Sequence, residues 1–140
     1  MDILDYYGIN LNGRKVTIFG RSLVIGKPVA MMAMGRNTTI TVCHSKTCAE
    51  DFAAAGAEAD VVIAALGKAG MIGADKLGEN QGIIDVGINL DEEGHICGDI
   101  NFDEVNAKAA AITPVPGGVG SVTTAVLMKH VLEAAERTGE

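Results

Sequence analysis

Short apolar segments alternate with helix-forming segments along almost the whole chain, and turns that contain glycine separate them. Strands are predicted at 15–20, 39–43, 60–66, 82–87 and 111–113, with a weaker edge element at 95–100, and helices at 28–36, 48–56 and 122–137. Strands without polar alternation are typical of a sheet buried on both faces, and alternation with helices favours a parallel sheet. Right-handed crossovers then predict an α/β, three-layer, doubly wound (Rossmann-type), mostly parallel sheet in a single domain.

The last predicted helix has the clearest amphipathic pattern. Its apolar stripe comprises Ala125, Met128, Leu132 and Ala135, with Val122 and Val131 beside it. Charged residues occupy the opposite face, where Lys129 is expected to meet Glu133 one turn on.

Charge and hydropathy exclude several kinds of partner. The 140 residues include 11 basic and 18 acidic side chains, and the net charge is −7 without any basic cluster. Nucleic-acid binding needs concentrated positive charge, so no nucleic-acid partner is expected. Every apolar stretch is far shorter than the ~20 residues that span a bilayer, so no membrane partner is expected either. The first residues also lack the positive charge of a signal peptide, and a cytoplasmic location is predicted.

The cysteines and histidines give little sign of a metal site. Cys43, Cys48 and Cys97 form no C-x-x-C pair, and no two of the three histidines are spaced as a helical i, i+4 pair. Buried thiols in a reducing compartment are the simpler interpretation, and no metal is predicted.

The turn after the first strand is the first candidate ligand site. It contains neither a G-x-G-x-x-G pattern nor a Walker A loop. The strand nevertheless ends at Gly20, and a helix begins near Gly26. The first turn of that helix is expected to present free N–H groups to a phosphate. Arg21 adds a guanidinium suited to the same group. An ordinary turn with a solvated Arg21 explains the pattern equally well.

The turn after the second strand bears on nucleotide preference. NAD-binding sheets usually place a carboxylate here for the ribose 2′-hydroxyl, whereas this chain has none before Glu50. Ser45 and Lys46, with Arg21 opposite, would donate to a 2′-phosphate, which favours NADP over NAD. Residues 45–47 are alternatively a cap for the following helix.

Two later turns are predicted to complete a cleft. At 85–89, Gly87 would let a ring lie close to the backbone, while Asp85 is interpreted as a buried, hydrogen-bonded carboxylate rather than a catalytic group. The segment 114–120 combines prolines with glycines and is interpreted as a loop that shapes a ligand site.

Four segments together carry a family resemblance: Gly20-Arg-Ser-Leu-Val-Ile-Gly-Lys-Pro28, Thr41-Val-Cys-His-Ser-Lys-Thr47, Asp85-Val-Gly-Ile-Asn89 and Pro114-Val-Pro-Gly-Gly-Val-Gly120. In this order and spacing they resemble the bifunctional methylenetetrahydrofolate dehydrogenase/methenyltetrahydrofolate cyclohydrolase family. The resemblance covers essentially the whole chain but the carboxyl-terminal half of the family's enzyme. It implies oxidation of 5,10-methylenetetrahydrofolate with NADP and, in many members, hydrolysis of the product to 10-formyltetrahydrofolate.

The residues and the resemblance together give a set of cofactor-binding positions: Gly20, Arg21, Ser22, His44, Ser45, Lys46, Gly87, Ile88, Gly117, Gly118 and Thr123. By resemblance, residues 20–22 hold the cofactor phosphates, and Arg21 and Ser45 face the 2′-phosphate. Ile88, Gly117 and Gly118 are implied at the nicotinamide end. The family's Gly-Pro-Met-Thr appears here as Gly120-Ser-Val-Thr123, which makes the nicotinamide contacts of Thr123 less secure.

The family's Tyr-x-x-x-Lys motif, which carries its catalytic lysine, does not occur in this sequence. Residues 1–13 are predicted to be an entry helix and turn from an amino-terminal domain, and 14–140 the nucleotide-binding domain. No catalytic residue is assigned, and the chain alone is expected to be inactive, with the folate substrate shared with the amino-terminal domain. A homodimer is expected, with an apolar edge at 96–102 as one candidate surface, and a place for Cys97 and Ile100 in the core explains their apolar character equally well. The alternatives are a free-standing dinucleotide-binding module and the cofactor domain of a shikimate-type dehydrogenase.

Overall fold

The computed structural model describes residues 1–139. Its helices are α1 (Asp2–Tyr6), α2 (Gly26–Met34), α3 (Ala49–Glu58), α4 (Phe102–Val105) and α5 (Val119–Thr138). Its strands are β1 (Lys15–Phe19), β2 (Thr39–Cys43), β3 (Val61–Ala64), β4 (Gly82–Asp85), β5 (Asn89–Leu90), β6 (Ile96–Cys97) and β7 (Ala111–Ile112). A 3-10 turn covers Ala74–Lys76.

The main sheet has the order β2-β1-β3-β4-β7, and all of its neighbouring strands are parallel. Val16 lies opposite Ile40 on one side and Val61 on the other, so the strands start and end nearly level. The α/β doubly wound prediction is confirmed. The weaker element predicted at 95–100 is not part of this sheet, because its residues 96–97 form an antiparallel hairpin with β5.

The central strands β1 and β3 are buried on both faces, as their continuous apolar sequences predict, whereas the edge strand β2 is largely exposed. Side chains alternate along β1, so that Ile18 joins one apolar cluster and Phe19 joins the other. α1 and α2 cover the first cluster with Leu4 and Ala33. α3 and α4 cover the second, where Phe52 packs on Phe19 with ring centroids 4.3 Å apart.

The parallel register brings the carboxyl ends of the strands to one edge of the sheet. The loops after β1, β2, β3, β4 and β7 therefore lie along that edge, where ligands of this architecture bind. The opposite edge carries a structural polar residue, Gln81, which is buried. Its side chain donates to the carbonyl oxygens of Gly56 and Ala59 and accepts from the N–H of Gly78.

Helix α5 has the predicted amphipathic pattern and leaves most of its apolar stripe exposed. The helix forms, and the Lys129 Nζ to Glu133 Oε1 distance of 3.9 Å confirms the predicted pair. Its apolar stripe is mostly exposed, however, and Val122 beside it is half-buried. Val131 and Leu132 are 59% and 64% exposed, and α5 contains no buried residue. Among residues 1–139, no helix has the length and apolar character needed to cross a membrane.

Candidate functional site

The loop after β1 is folded tightly against the sheet edge. Gly20 has φ +121°, and its N–H donates to the carbonyl of Cys43 at 2.9 Å. A Cβ on Gly20 would lie 2.8 Å from the carbonyl carbon of Ala65, and a Cβ on Gly26 would lie 2.7 Å from that of Gly20. Both positions therefore require glycine, because the backbone passes where a side chain would stand.

Ser22 accepts hydrogen bonds from the N–H groups at the start of α2, so those groups are not free to bind a ligand. Its hydroxyl accepts from the N–H groups of Ile25 at 3.0 Å and Gly26 at 3.4 Å, and its carbonyl accepts from Lys27. The expectation that the first turn of α2 presents free N–H groups is therefore wrong, since Ser22 caps that turn and Pro28 has no N–H. The N–H groups of residues 21–24 instead have no acceptor among the described residues.

The loop after β1 lines a cavity of about 480 Å³, here called the cationic pocket. Its lining comprises residues 20–22, 44–45, 47, 49, 52, 65–66, 68, 71 and 76. Arg21, Lys68 and Lys76 supply positive charge, and none of the described residues that line it is Asp or Glu. Lys76 is partly neutralised by Asp75, 3.2 Å away. The pocket suits a phosphorylated ligand, for which the lining residues 21 and 22 add unpartnered N–H donors.

The turn after β2 is closed by its own hydrogen bonds. The N–H of His44 donates to Thr47 Oγ1 at 3.0 Å, and the N–H of Lys46 donates to His44 Nδ1 at 3.2 Å. The suggestion that residues 45–47 cap the next helix is wrong, because Cys48 is the cap and its Sγ accepts from the N–H of Asp51. Ser45 lines the cationic pocket, whereas Lys46 is exposed and does not.

A second cavity of about 230 Å³, here called the glycine pocket, lies between the loops after β4 and β7. Gly87, Ile88, Gly117 and Gly118 all line it, as the sequence predicts for one end of a cleft. Ile88 is 68% exposed. Thr123 does not line this pocket, and its hydroxyl donates to the carbonyl of Val119 one turn back in α5.

Asp85 is buried and hydrogen-bonded, which confirms its interpretation as a satisfied carboxylate. Oδ1 accepts from the N–H groups of Gly87 at 2.9 Å and Asp99 at 3.1 Å, and Oδ2 accepts from Ile100 at 2.9 Å. Burial raises the pKa of Asp85 above its ordinary value, and these backbone N–H groups act in the opposite direction.

The sequence reasoning missed Asp99, which is fully buried. Its carboxylate accepts from the N–H groups of Leu66, Gly67 and Lys68 and from the side-chain amide of Asn89. It also occupies the space beside Gly87, where a Cβ would lie 2.7 Å from the Asp99 nitrogen. Glycine at 87 is therefore required by the close approach of Asp99. A lone acidic residue in a glycine-rich turn carries no spacing signal that would have revealed this role.

The cysteines differ in their exposure. Cys43 is buried as predicted, but Cys48 is exposed and Cys97 is half-buried, so the expectation of buried thiols is wrong for Cys48. Within residues 1–139, no group of three or more His, Cys, Asp or Glu side chains is arranged to hold a metal ion.

A parallel sheet with a tight glycine loop after its first strand, and with pockets along its carboxyl edge, defines a Rossmann-type nucleotide-binding domain. The comparison with protein families agrees, because residues 1–139 match the family described as tetrahydrofolate dehydrogenase/cyclohydrolase, NAD(P)-binding domain. The chain belongs to this family. The family resemblance carried by the four sequence segments is thereby confirmed, and it favours this family over the shikimate-type alternative.

Curated relatives and solved structures support the same placement. The chain is 52% identical over 137 residues to the bifunctional protein FolD of Clostridium botulinum, covering 98% of this chain and 48% of the relative. The crystal structure of the Campylobacter jejuni bifunctional enzyme FolD superposes with a TM-score of 0.93 at 39% identity, over 98% of this chain and 48% of that one. The chain therefore spans about half the length of the relatives it matches.

One neighbour carries information on the ligand. The Trypanosoma brucei N5,N10-methylenetetrahydrofolate dehydrogenase-cyclohydrolase (FolD) superposes with a TM-score of 0.94 at 34% identity, and its structure is a complex with NADP cofactor and inhibitor. The alignment covers 100% of this chain and 49% of that one.

Proposed function

We propose that this chain binds NADP as the cofactor half of an enzyme that oxidises 5,10-methylenetetrahydrofolate to the methenyl form. In the complete protein the methenyl form would then be hydrolysed to 10-formyltetrahydrofolate. The observation that carries the proposal is the lining of the cationic pocket, which has Arg21 and Lys68 and no carboxylate among its described residues. The NADP complex of the Trypanosoma brucei relative supports it.

The preference for NADP over NAD rests on the 2′-substituent of the adenosine. Arg21 and Ser45 line the same pocket, and both can donate to a phosphate. A carboxylate that would hold a 2′-hydroxyl and repel a phosphate is missing from the described lining. The N–H groups of the lining residues 21 and 22 are available for the pyrophosphate, because no described residue accepts from them.

The nicotinamide end is assigned to the glycine pocket. Gly117 and Gly118 line one side of this pocket and Ile88 lines the other, so the ring would be held between backbone and an aliphatic side chain. NADP supplies the chemistry there as the hydride acceptor. The part played by this chain is orientation, since hydride transfer requires the ring to meet the folate carbon at a fixed distance and angle.

The folate and the catalytic groups are assigned to an amino-terminal half. The relatives are about twice as long as this chain, and the family's Tyr-x-x-x-Lys motif does not occur in the sequence. The exposed apolar stripe of α5, with Met128, Val131 and Leu132, is a suitable surface for that half. A homodimer would use another face, the β5–β6 hairpin, where Leu90 and Ile96 are exposed.

Calorimetric titration of the purified chain with NADP⁺ and, separately, NAD⁺ tests the proposal. We expect saturable binding of both nucleotides, with NADP⁺ the tighter. Thermal unfolding of the same sample establishes that the chain is folded. A folded chain that binds neither nucleotide would contradict the proposal, and tighter binding of NAD⁺ would contradict the cofactor assignment.

A further inference from the structure

The carboxylate of Asp99 is saturated by donors from separate loops. Oδ2 accepts from the N–H groups of Leu66 at 2.6 Å and Gly67 at 3.1 Å. Oδ1 accepts from the N–H of Lys68 at 2.8 Å and from Asn89 Nδ2 at 2.9 Å. These four bonds occupy both oxygens of the carboxylate, and none goes to solvent because the residue is 0% exposed.

Neighbouring residues fix the backbone of Asp99 and leave space for its side chain. The N–H of Asp99 donates to Asp85 Oδ1, which fixes the backbone from which the side chain projects. Gly87 leaves the space that the carboxylate occupies, since a Cβ there would overlap Asp99 Cγ. Burial of an acidic side chain lowers the stability of the fold by several kcal/mol unless the side chain is well paired. The fully hydrogen-bonded carboxylate of Asp99 therefore holds in place the loops that donate to it.

The loop after β3 depends on Asp99 for its shape. Among the described residues, the N–H groups of Leu66, Gly67 and Lys68 have no acceptor other than this carboxylate. Three successive N–H groups directed at one carboxylate determine the course of the backbone, and with it the direction in which the Lys68 side chain leaves it. Lys68 and Leu66 line the cationic pocket.

We infer that Asp99 is a positioning residue that sets Lys68 in the cationic pocket, and that Lys68 contacts the phosphorylated end of a nicotinamide nucleotide. The inference rests on the proposed function and adds these residues to the site. Lys68 is exposed and forms no ion pair with a described residue, so its charge is available to a ligand. Asp99 itself is buried and acts through the loop rather than by touching the nucleotide.

The test replaces each residue separately and then both together. In Asp99→Asn the amide NH₂ would face backbone N–H donors in place of an acceptor, so at least one backbone hydrogen bond to residues 66–68 is lost in either orientation. We expect faster hydrogen exchange at the amides of residues 66–68 and an about tenfold higher Kd for NADP⁺. Lys68→Met removes the charge without disturbing the loop, and we expect a loss of about five- to tenfold that shrinks as salt is added.

The double variant distinguishes positioning from a general loss of stability. If Asp99 acts through Lys68, the D99N/K68M variant binds NADP⁺ about as weakly as the weaker single variant, because the losses are not independent. Gln81→Met is the matched control. It removes the side-chain hydrogen bonds of another buried polar residue at the opposite edge of the sheet, and it should lower stability but leave the Kd unchanged.

The set of outcomes distinguishes failure of this inference from failure of the proposed function. If the wild-type chain binds no nicotinamide nucleotide, both fail together. If it binds but K68M binds equally well, the role of Lys68 is overturned while the proposed function stands. Faster exchange at residues 66–68 in D99N with an unchanged Kd, additive losses in the double variant, or an equal loss in Q81M would each overturn the positioning role. Lys68 is exposed, so K68M tests the inference even if D99N does not fold.

Discussion

The carboxylate of Asp85 occupies the place where a side chain of residue 98 would stand. A Cβ on Gly98 would lie 2.6 Å from Asp85 Cγ, closer than non-bonded carbon atoms approach. The same carboxylate accepts from the N–H groups of Asp99 and Ile100, so the backbone of residues 98–100 closes around it. This segment supplies Asp99, and the loops of both pockets depend on it.

Gly98→Ala should therefore lower the free energy of unfolding by about 1–3 kcal/mol, because the methyl group must displace a buried, hydrogen-bonded carboxylate. The matched control is Gly82→Ala in β4. Its Cβ would meet Ile9 and Val61 at 3.7 Å, which is ordinary contact. Urea denaturation of both variants measures the difference, and equal midpoints would refute the argument.

Arg21→Ala should weaken NADP⁺ binding by about 1–3 kcal/mol and weaken NAD⁺ binding less, because the guanidinium is assigned to the 2′-phosphate. Calorimetric titration with each nucleotide gives both values. Arg14→Ala removes an arginine that pairs with Asp60 at the opposite edge of the sheet, and it should leave both affinities unchanged. Equal losses for NADP⁺ and NAD⁺ in Arg21→Ala would contradict the assignment.

The ion pair between Asp5 and Arg36 should make the free energy of unfolding depend on pH in the acid range. Arg36 holds the pKa of Asp5 below its usual 3.8 through hydrogen bonds that include Nη2 to Oδ2 at 2.8 Å. The folded chain thus binds this proton less readily than the unfolded chain. The pair therefore stabilises the fold above 3.8, and this stabilisation is lost as pH falls through the folded-state pKa.

Asp5→Asn measures that contribution directly. The difference in urea midpoint between wild type and variant should be largest near neutral pH and should vanish in acid. Arg36→Gln should reproduce the effect, because it removes the same pair from the other side. A difference that grows on acidification would show that the sign is wrong.

The apolar stripe of α5 should be dispensable for the isolated chain. Leu132 is 64% exposed, so Leu132→Ser is expected to change the free energy of unfolding by no more than about 0.5 kcal/mol. Leu4→Ala is the contrasting variant in α1. Leu4 is 1% exposed, and its truncation should cost about 2–5 kcal/mol. A large effect of L132S in urea denaturation would mean that the stripe packs within the chain.

The chain alone should not oxidise 5,10-methylenetetrahydrofolate, because the family's catalytic motif does not occur in its sequence. Formation of NADPH, followed by its absorbance, measures the reaction. A full-length bifunctional relative under the same conditions is the positive control. Turnover by the purified chain would contradict this prediction and would place catalytic groups within these residues.

The sheet could be predicted because each of its longer strands carries a local signal. Residues 39–43 and 83–84 are apolar or β-branched and are bounded by turns, so strands form there as the pattern predicts, although β4 ends at residue 85 and not at 87. The hairpin could not be predicted in the same way, because β5 and β6 are two residues each. Segments of this length have no periodicity, and their pairing depends on contacts made elsewhere in the fold.

Several residues that line the pockets could be predicted from their place after a strand, whereas residues whose side chains bond to the backbone were missed. Arg21, Ser45 and Gly87 stand after strands, and their chemistry is visible in the sequence. The cap formed by Ser22 and the loop held by Asp99 depend on which N–H groups a carboxylate or hydroxyl meets after folding. The apolar stripe of α5 could be identified from the sequence, but its exposure could not. Periodicity identifies an apolar face without identifying what covers it.

The turn after β2 closes through His44 and Thr47, which leaves the side chain of Ser45 with no hydrogen bond to a described residue. Position 45 is thus uncoupled from the folding of the domain although it lines the pocket. A substitution at position 45 should alter the lining of the cationic pocket at little cost in the free energy of unfolding. Under the proposed binding mode, a substitution at position 45 should therefore shift nucleotide preference without lowering the free energy of unfolding.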